Sequence, residues 1–442
     1  MENNTQLKEM IRSMVIDVLQ GQKQDIASSR PVKQVSRNQV EPGVFDTVDE
    51  AIRAAKEAQL RFEDCTLATR EKVIADIRAA MRPRVQELAQ KTVEETGMGR
   101  VADKVLKLNL TLDKTPGVED LITECETGDN GMTLYELSAY GVIGAITPST
   151  NPAETLICNS IGMLAAGNAI FFSVHPGAKN LSRELVSELN QVIAKSIGIE
   201  NLIVTLREPS IESAQEMMLH PDVSLLVVTG GPGVVKQALQ SGKKVIGAGA
   251  GNPPAFVDET ADVKKAAQDI VLGASLDNNI LCIAEKSVVA MRQIEPQLVQ
   301  EMVKAGCVLV DNQQDIQRLV DLTVLPNGTP NKQFVGKNAS VILDAAHISY
   351  NGDPRLIIMR TPKDHPFAVI EMLMPILPVV TVDSFDEGLD VCLKLEAGLH
   401  HTATMHSLNM ERLNRMARKM KTSIFVKNGP SYAGLGFSGE GT

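Results

Sequence analysis

No apolar run in this sequence approaches the roughly 20 residues needed to cross a bilayer, and its N-terminus has no basic segment followed by a continuous apolar stretch. Neither a membrane span nor export is expected, and the cytoplasm is the expected compartment. Positive charge is not in excess: 44 Lys and Arg against 54 Asp and Glu leave a formal net charge of −10, which disfavours nonspecific attraction to nucleic acid or anionic lipid. The cysteines (Cys65, Cys125, Cys158, Cys282, Cys307 and Cys392) show no paired close spacing. A zinc site and a disulfide framework are therefore not expected, no metal is anticipated, and a reducing compartment fits. No internal repeat or low-complexity segment stands out. The chain has 442 residues, 43% hydrophobic and 22% charged, which is ordinary for a globular protein of two or three cored domains.

Along Thr5 to Gln20, the residues Leu7, Met10, Ile11, Met14, Val15, Val18 and Leu19 recur at three-and-four spacing and predict an amphipathic helix over 1–20. Residues 21–43 are polar, contain Pro31 and Pro42, and read as a linker. So short a helix is marginal alone in water, so its stripe must meet something. Docking on its own globular body and binding another protein both remain open. Only Lys8 and Arg12 give it positive charge and it carries no aromatic anchor, which argues against a membrane surface.

From Val44 to Cys125 the spacing is helical, over Val48 to Phe62, Ala68 to Gly97 and Val101 to Thr123. Asp129-Asn130-Gly131 is a turn signal within 127–140 and predicts a projecting hairpin arm. Strands and helices then alternate from Gly141 to Gly249, and again from Ala261 with strands at Lys286 to Met291, Cys307 to Val310, Arg355 to Met359 and Ala368 to Ile370. Strands separated by helices predict α/β architecture with parallel, doubly wound sheets. The expected division is a first domain over 44–252, a second over 253–425, and a C-terminal segment, 426–442, returning to the cleft between them. Ligands of such sheets bind beyond the carboxyl ends of the strands, where Pro148, His175, Gly230 and Gly249 fall.

One cysteine is presented differently from the rest. Polar residues in Gly273-Ala-Ser-Leu-Asp-Asn-Asn-Ile-Leu-Cys282 deliver it just ahead of an apolar strand. An unpaired cysteine is commonly a buried small hydrophobe, so Cys282 becomes a candidate nucleophile only through its company. That company is Thr147-Pro-Ser-Thr-Asn-Pro-Ala-Glu154, Phe171-Phe-Ser-Val-His-Pro-Gly-Ala-Lys179, Val228-Thr-Gly-Gly-Pro-Gly-Val234, Val245-Ile-Gly-Ala-Gly-Ala-Gly-Asn-Pro-Pro254, Glu371-Met-Leu-Met-Pro375 and Gly398-Leu-His-His-Thr402. Small residues at 229–231 put free amides at a helix start, which suits phosphate, although glycine at a strand-to-helix turn is common. Likewise Asn151 before proline suits a cap and His175 suits a strand end satisfied by backbone.

In this order, from about residue 44 to 442, these elements resemble the aldehyde dehydrogenase superfamily, specifically its coenzyme A-acylating branch. The resemblance implies two α/β domains around a cleft, with Cys282 as nucleophile and Asn151 Nδ2 plus the Cys282 amide as donors to the developing oxyanion. It implies a dinucleotide site at Thr147, Pro148, Ser149, Ser173, His175, Pro176, Thr229, Gly230, Gly231 and Gly249, with Glu371 on the nicotinamide ribose. His401 is the candidate base for a thiol substrate, with His400 as its alternative. Leu373 departs from the family pattern, in which an aromatic residue stands there. In the family, a strand joining the oligomerisation arm follows the Gly436-Phe-Ser-Gly-Glu-Gly-Thr442 segment.

Hydrolytic members carry a glutamate that activates water against the thioester. Gly247 occupies that position here, and no carboxylate lies within 245–254. A thiol rather than water is thus the expected acyl acceptor. The expected reaction is oxidation of a short-chain aldehyde, propionaldehyde or acetaldehyde, with NAD and coenzyme A to acyl-CoA. The N-terminal helix resembles encapsulation peptides of bacterial microcompartments. That implies residence in the lumen and contact of residues 5–20 with shell or cargo proteins; a homo-oligomer is expected separately. The competing readings are a hydrolytic aldehyde dehydrogenase, an acyl-phosphate reductase and a non-catalytic microcompartment docking component.

Overall fold

The computed structural model describes residues 41–437. The expected helix from Thr5 to Gln20, nearly all of the linker and residues 438–442 lie outside them.

Helices come first. Val48–Glu63 is capped by Thr47, whose side chain accepts from the Glu50 amide, and buries Val48, Ile52, Ala55 and Phe62 along one face. Prolines interrupt two of the expected helices. The run Ala68 to Gly97 is instead Leu67–Met81, a 3-10 turn at Arg82–Arg84 and Val85–Thr96, because Pro83 has no amide with which to continue the ladder. The run from Val101 stops at Lys114, well short of Thr123, with Thr115 extended ahead of Pro116. The arm follows as an antiparallel hairpin, β2 (Glu124–Gly128) and β3 (Gly131–Tyr135), turning at Asp129 and Asn130, with both strands exposed throughout.

The first sheet has the order β1-β6-β5-β4-β7-β8 and is parallel at every pairing. Its strands are β1 (Val44–Phe45), β4 (Val142–Ile146), β5 (Ala169–Ser173), β6 (Ile203–Leu206), β7 (Val223–Thr229) and β8 (Lys244–Ala248). After β1 and the arm, the chain enters in the middle at β4, builds outward through β5 and β6, and returns on the other side with β7 and β8. That reversal leaves a crevice at the carboxyl ends of β4, β5, β7 and β8. Helices cover a core of Leu156, Ile161, Phe171, Phe172, Leu185 and Leu189.

The second sheet, also parallel, runs β11-β12-β13-β10-β9-β14-β15. It comprises β9 (Pro254–Val257), β10 (Ser287–Met291), β11 (Cys307–Leu309), β12 (Leu356–Arg360), β13 (Ile376–Val382), β14 (Thr402–His406) and β15 (Ile424–Lys427). The strand expected at Ala368 to Ile370 is corrected to a short helix, Pro366–Val369. His365 caps it by accepting from the Phe367 amide, and Pro366 holds the first helical position, so the apolar run behind them is wound rather than extended. The crossover between the sheets is 249–253, between the end of β8 and the start of β9.

Candidate active site

Cys282 lies between the helix Val263–Ser275 and β10. Just ahead of it, Asp277, Asn278 and Asn279 have φ of 50°, 56° and 65°. Three successive left-handed residues cost about 1–2 kcal/mol each, least for Asx side chains, so the loop must be held from outside. Every one of the three is tied. The Asp277 amide donates to Asp103 Oδ2 (2.9 Å), and Asp277 Oδ1 accepts from the Arg100 amide (2.8 Å). Asn278 Nδ2 donates to the Gly336 carbonyl and to Asn338 Oδ1, both at 2.8 Å. Asn279 Nδ2 donates to the carbonyls of Ala274 (2.7 Å) and Glu285 (3.0 Å). Beneath them, Lys286 Nζ donates to Asn279 O and Oδ1, both 2.7 Å, and to Leu281 O at 2.9 Å, so its three protons each have an acceptor.

The half-buried Cys282 packs among Leu276, Leu281, Ile283 and Ala284 with Ile424, Tyr432, Leu435 and Phe437. The C-terminal segment thus returns to the Cys282 loop. Burial pushes the thiol above its ordinary value and the Glu371 carboxylate adds to this, while the Lys286 ammonium works against both. Lys286 itself is pushed down to about 8 by burial.

Gly251, in the crossover, is where the candidate groups meet. A methyl group built there would stand 2.8 Å from the Cys282 carbonyl oxygen and 2.9 Å from His401 Cγ, and the Gly251 amide donates to Glu371 Oε1 at 3.2 Å. Burial pushes the Glu371 carboxyl up. Burial, followed by the charge of Lys286, pushes His401 down, so its neutral form prevails at neutral pH. His401 Nδ1 is 2.9 Å from Thr402 Oγ1. His400 is more exposed, with φ of 55° and its carbonyl accepting from Ser423. A cavity of about 450 Å³ opens beside this crossing, lined by Lys236, Gly247, Gly249, His400, His401 and Ile424 among others, and no carboxylate lines it.

The remaining candidates sit along the carboxyl edge of the first sheet. The Thr147 amide donates to the Ser173 carbonyl (3.2 Å), joining the ends of β4 and β5, and Pro148 and Ser149 follow. The Gly230 amide donates to the Ala248 carbonyl (3.1 Å), and Gly231 opens the helix Pro232–Leu239. Thr229 ends β7, and at both Gly231 and Gly249 a methyl would meet open space, so backbone is accessible there to a phosphate-bearing ligand. His175 Nδ1 accepts from the Gly177 amide (3.0 Å) and caps the turn at Pro176, the backbone-satisfied arrangement. Asn151 opens the helix Pro152–Ala165, its Nδ2 donating to Thr150 Oγ1 at 3.2 Å and its Oδ1 accepting from Lys107 Nζ.

Lys104, Lys107 and Asp277 do not figure among the residues singled out by motif. Lys104 Nζ donates to Asp277 Oδ2 and the Thr150 carbonyl, both 3.0 Å, while Lys107 pairs with Glu154 (3.1 Å) and Asp277. All are buried. Their signal is two lysines three apart at the core-facing spacing of Leu108 and Leu112 on one helix.

Residues 18–440 match the aldehyde dehydrogenase family, and the chain belongs to it. Within that family, it is 50% identical over 440 residues to propanal dehydrogenase (CoA-propanoylating) of Salmonella typhimurium, covering 99% of this chain and 92% of that protein. Over 420 residues it is 45% identical to an acetylating acetaldehyde dehydrogenase of the same organism, covering 94% and 88%. Rhodopseudomonas palustris propionaldehyde dehydrogenase, solved with bound CoA and an acylated cysteine, superposes with a TM-score of 0.89 at 48% identity, covering 91% of this chain and 92% of that one. A propionaldehyde dehydrogenase from the fucose utilisation microcompartment of Clostridium phytofermentans gives the same TM-score at 46% identity, with the same coverage of both chains.

Proposed function

We propose that this chain oxidises a short-chain aldehyde, propionaldehyde or acetaldehyde, with NAD and transfers the acyl group to coenzyme A. The observation that carries it is the crossing at Gly251, where the Cys282 backbone, His401 and Glu371 converge beside a cavity whose lining holds no carboxylate. Cys282 Sγ, having lost its proton, bonds to the aldehyde carbon, and Asn151 Nδ2 with the Cys282 amide donates to the oxygen as it becomes an alkoxide. Thr229 to Gly231 and Gly249 would hold NAD, with Glu371 for its ribose, and NAD so held would supply the hydride acceptor. Loss of hydride from the tetrahedral carbon restores the carbonyl as a thioester on Cys282. His401 then takes the proton of the CoA thiol, whose sulfur adds to that carbonyl and displaces the Cys282 thiolate.

Water lacks the carboxylate base of hydrolytic members, since Gly247 stands where they hold glutamate and Glu371 accepts from the Gly251 amide. NADH should therefore form over many turnovers only when CoA is supplied. Sustained NADH formation without CoA would establish a hydrolytic enzyme instead, and acyl-CoA production by purified Cys282→Ala would remove the cysteine from the mechanism.

The apolar stripe of residues 5–20, and the likeness to an enzyme from a microcompartment, support delivery into a bacterial microcompartment lumen through shell or cargo protein. Deleting residues 1–20 should leave activity intact and abolish co-purification with microcompartments; loss of folding on deletion would show instead that the helix docks on its own chain.

A further inference from the structure

Asn151 stands at the start of a helix, where an asparagine side chain ordinarily accepts from a backbone amide one turn on, yet it makes no such cap. Its oxygen is taken by Lys107. An ammonium group has three protons and no lone pair, so any amide facing it must present oxygen. Lys107 Nζ donates to Asn151 Oδ1 and is ion-paired with Glu154 Oε1 and Asp277 Oδ2, and its side chain is 5% exposed. Nothing there lets the Asn151 amide turn over. With Oδ1 fixed, Nδ2 faces the opposite way, one proton on Thr150 Oγ1 and the other without a protein partner among the described residues. A cation on the oxygen also polarises the amide and makes its N–H a stronger donor.

The same ammonium reaches into the nucleophile loop. Asp277 has left-handed backbone five residues before Cys282, is ion-paired with Lys107, and takes a charge-assisted hydrogen bond from Lys104, which is also bound to the Thr150 carbonyl. Lys104, Lys107, Glu154 and Asp277 bring together two basic and two acidic groups, and burial, followed by the Lys107 charge, lowers the affinity of Lys104 for its proton. Burial alone would drive both lysines towards neutrality, and in Lys107 the carboxylates of Asp277 and Glu154 outweigh it and keep the charge in place.

We propose that Lys107 is a positioning residue of the reaction: it locks the Asn151 amide with Nδ2 towards the thiohemiacetal oxygen and, through Asp277, registers that donor against the Cys282 loop. This rests on Cys282 being the nucleophile, and the test separates the two ideas. In the full-length enzyme mixed rapidly with propionaldehyde and NAD, Lys107→Met should slow the first turnover of NADH about a hundredfold, the effect of removing one oxyanion donor. The rate at which iodoacetamide alkylates Cys282 should stay within about threefold of the parent, and kcat/KM for CoA should not move. In a background of Asn151→Ala, Lys107→Met should cost nothing further, because the two act as one unit. Lys107→Met with Glu154→Gln removes the stranded carboxylate charge and gives the same readouts should the single variant misfold. A first turnover within about threefold of the parent, alkylation falling in parallel with it, or additive losses with Asn151→Ala would each overturn the proposal. A normal first turnover in Cys282→Ala would instead overturn the assignment of the nucleophile.

Discussion

His401 differs from its neighbour His400 in what surrounds it, and that difference supports the proposed role of His401 as the base. Its ring and the Cys282 carbonyl both stand close over Gly251, and Nδ1 meets Thr402 Oγ1, so in the proposed mechanism Nε2 would take the thiol proton. Burial and the Lys286 charge lower its affinity for a proton below the ordinary 6.5, so it is neutral and able to accept one at neutral pH. His401→Ala should leave the first NADH burst unchanged and slow acyl transfer to CoA by about a hundredfold or more. Acyl transfer in the parent should persist below pH 6.5 and fail only as the pH drops through the lowered value, which a pH profile of the CoA-dependent step would read. An unchanged steady state in His401→Ala would place the base elsewhere. Cys282, Asn151, His401 and Glu371 were legible as candidates because each sits in a short segment whose chemistry is local. Lys107 and Asp277 were not, because the pairing spans 170 positions and two buried lysines on a helix read as a solvated face until their carboxylates are placed.

Between elements, the attachment of the C-terminal segment to the Cys282 loop depends on Glu285. Its carboxylate accepts from the Ser431 amide (2.8 Å) and hydroxyl (2.7 Å), which holds Tyr432 and Leu435 against the wall around Cys282. Complete burial pushes this carboxyl from 4.5 up to about 7, although the Ser431 donors oppose it. The difference amounts to about 3 kcal/mol of preference for the neutral form. Because the folded value lies above the unfolded one, that stability is complete below 4.5 and is lost as the pH rises through about 7. Glu285→Gln keeps the shape without the titration. The parent should therefore lose stability relative to this variant between about pH 5 and about pH 8, read from paired thermal midpoints, and parallel midpoints would show that Glu285 does not titrate there. At this scale the sequence was uneven. The first sheet alternates cleanly, whereas β13 contains Pro378, which argues against a central strand, yet its pairing with β10 begins only at Val379. The mistaken strand at Ala368 has the reverse cause: a short apolar run has no period of its own, and His365 with Pro366 decided it.

In the whole molecule, the two sheets and their crossover account for the site, but the hairpin of β2 and β3 contributes nothing to it. Alternation puts Met132 and Leu134 on one face opposite Thr127 and Cys125, and Met132 is 71% and Leu134 55% exposed. Ile122 and Leu137 at its base are 68% and 69% exposed. A two-stranded hairpin is marginal alone in water, and an apolar surface carried on one marks a contact with another chain. The homo-oligomer expected from the sequence would supply a second copy as that partner, since an arm projecting from a closed body can lie along the equivalent edge of another and bury the same residues reciprocally. Met132→Lys with Leu134→Lys places two charges in that contact while leaving both cores and the Gly251 crossing untouched. The variant should elute at a lower mass in light scattering after size exclusion, keep its far-ultraviolet dichroism, and retain CoA-dependent NADH formation per chain. An unchanged mass would mean that the arm serves a different partner, while loss of activity together with mass would show that the second copy helps to hold the site closed.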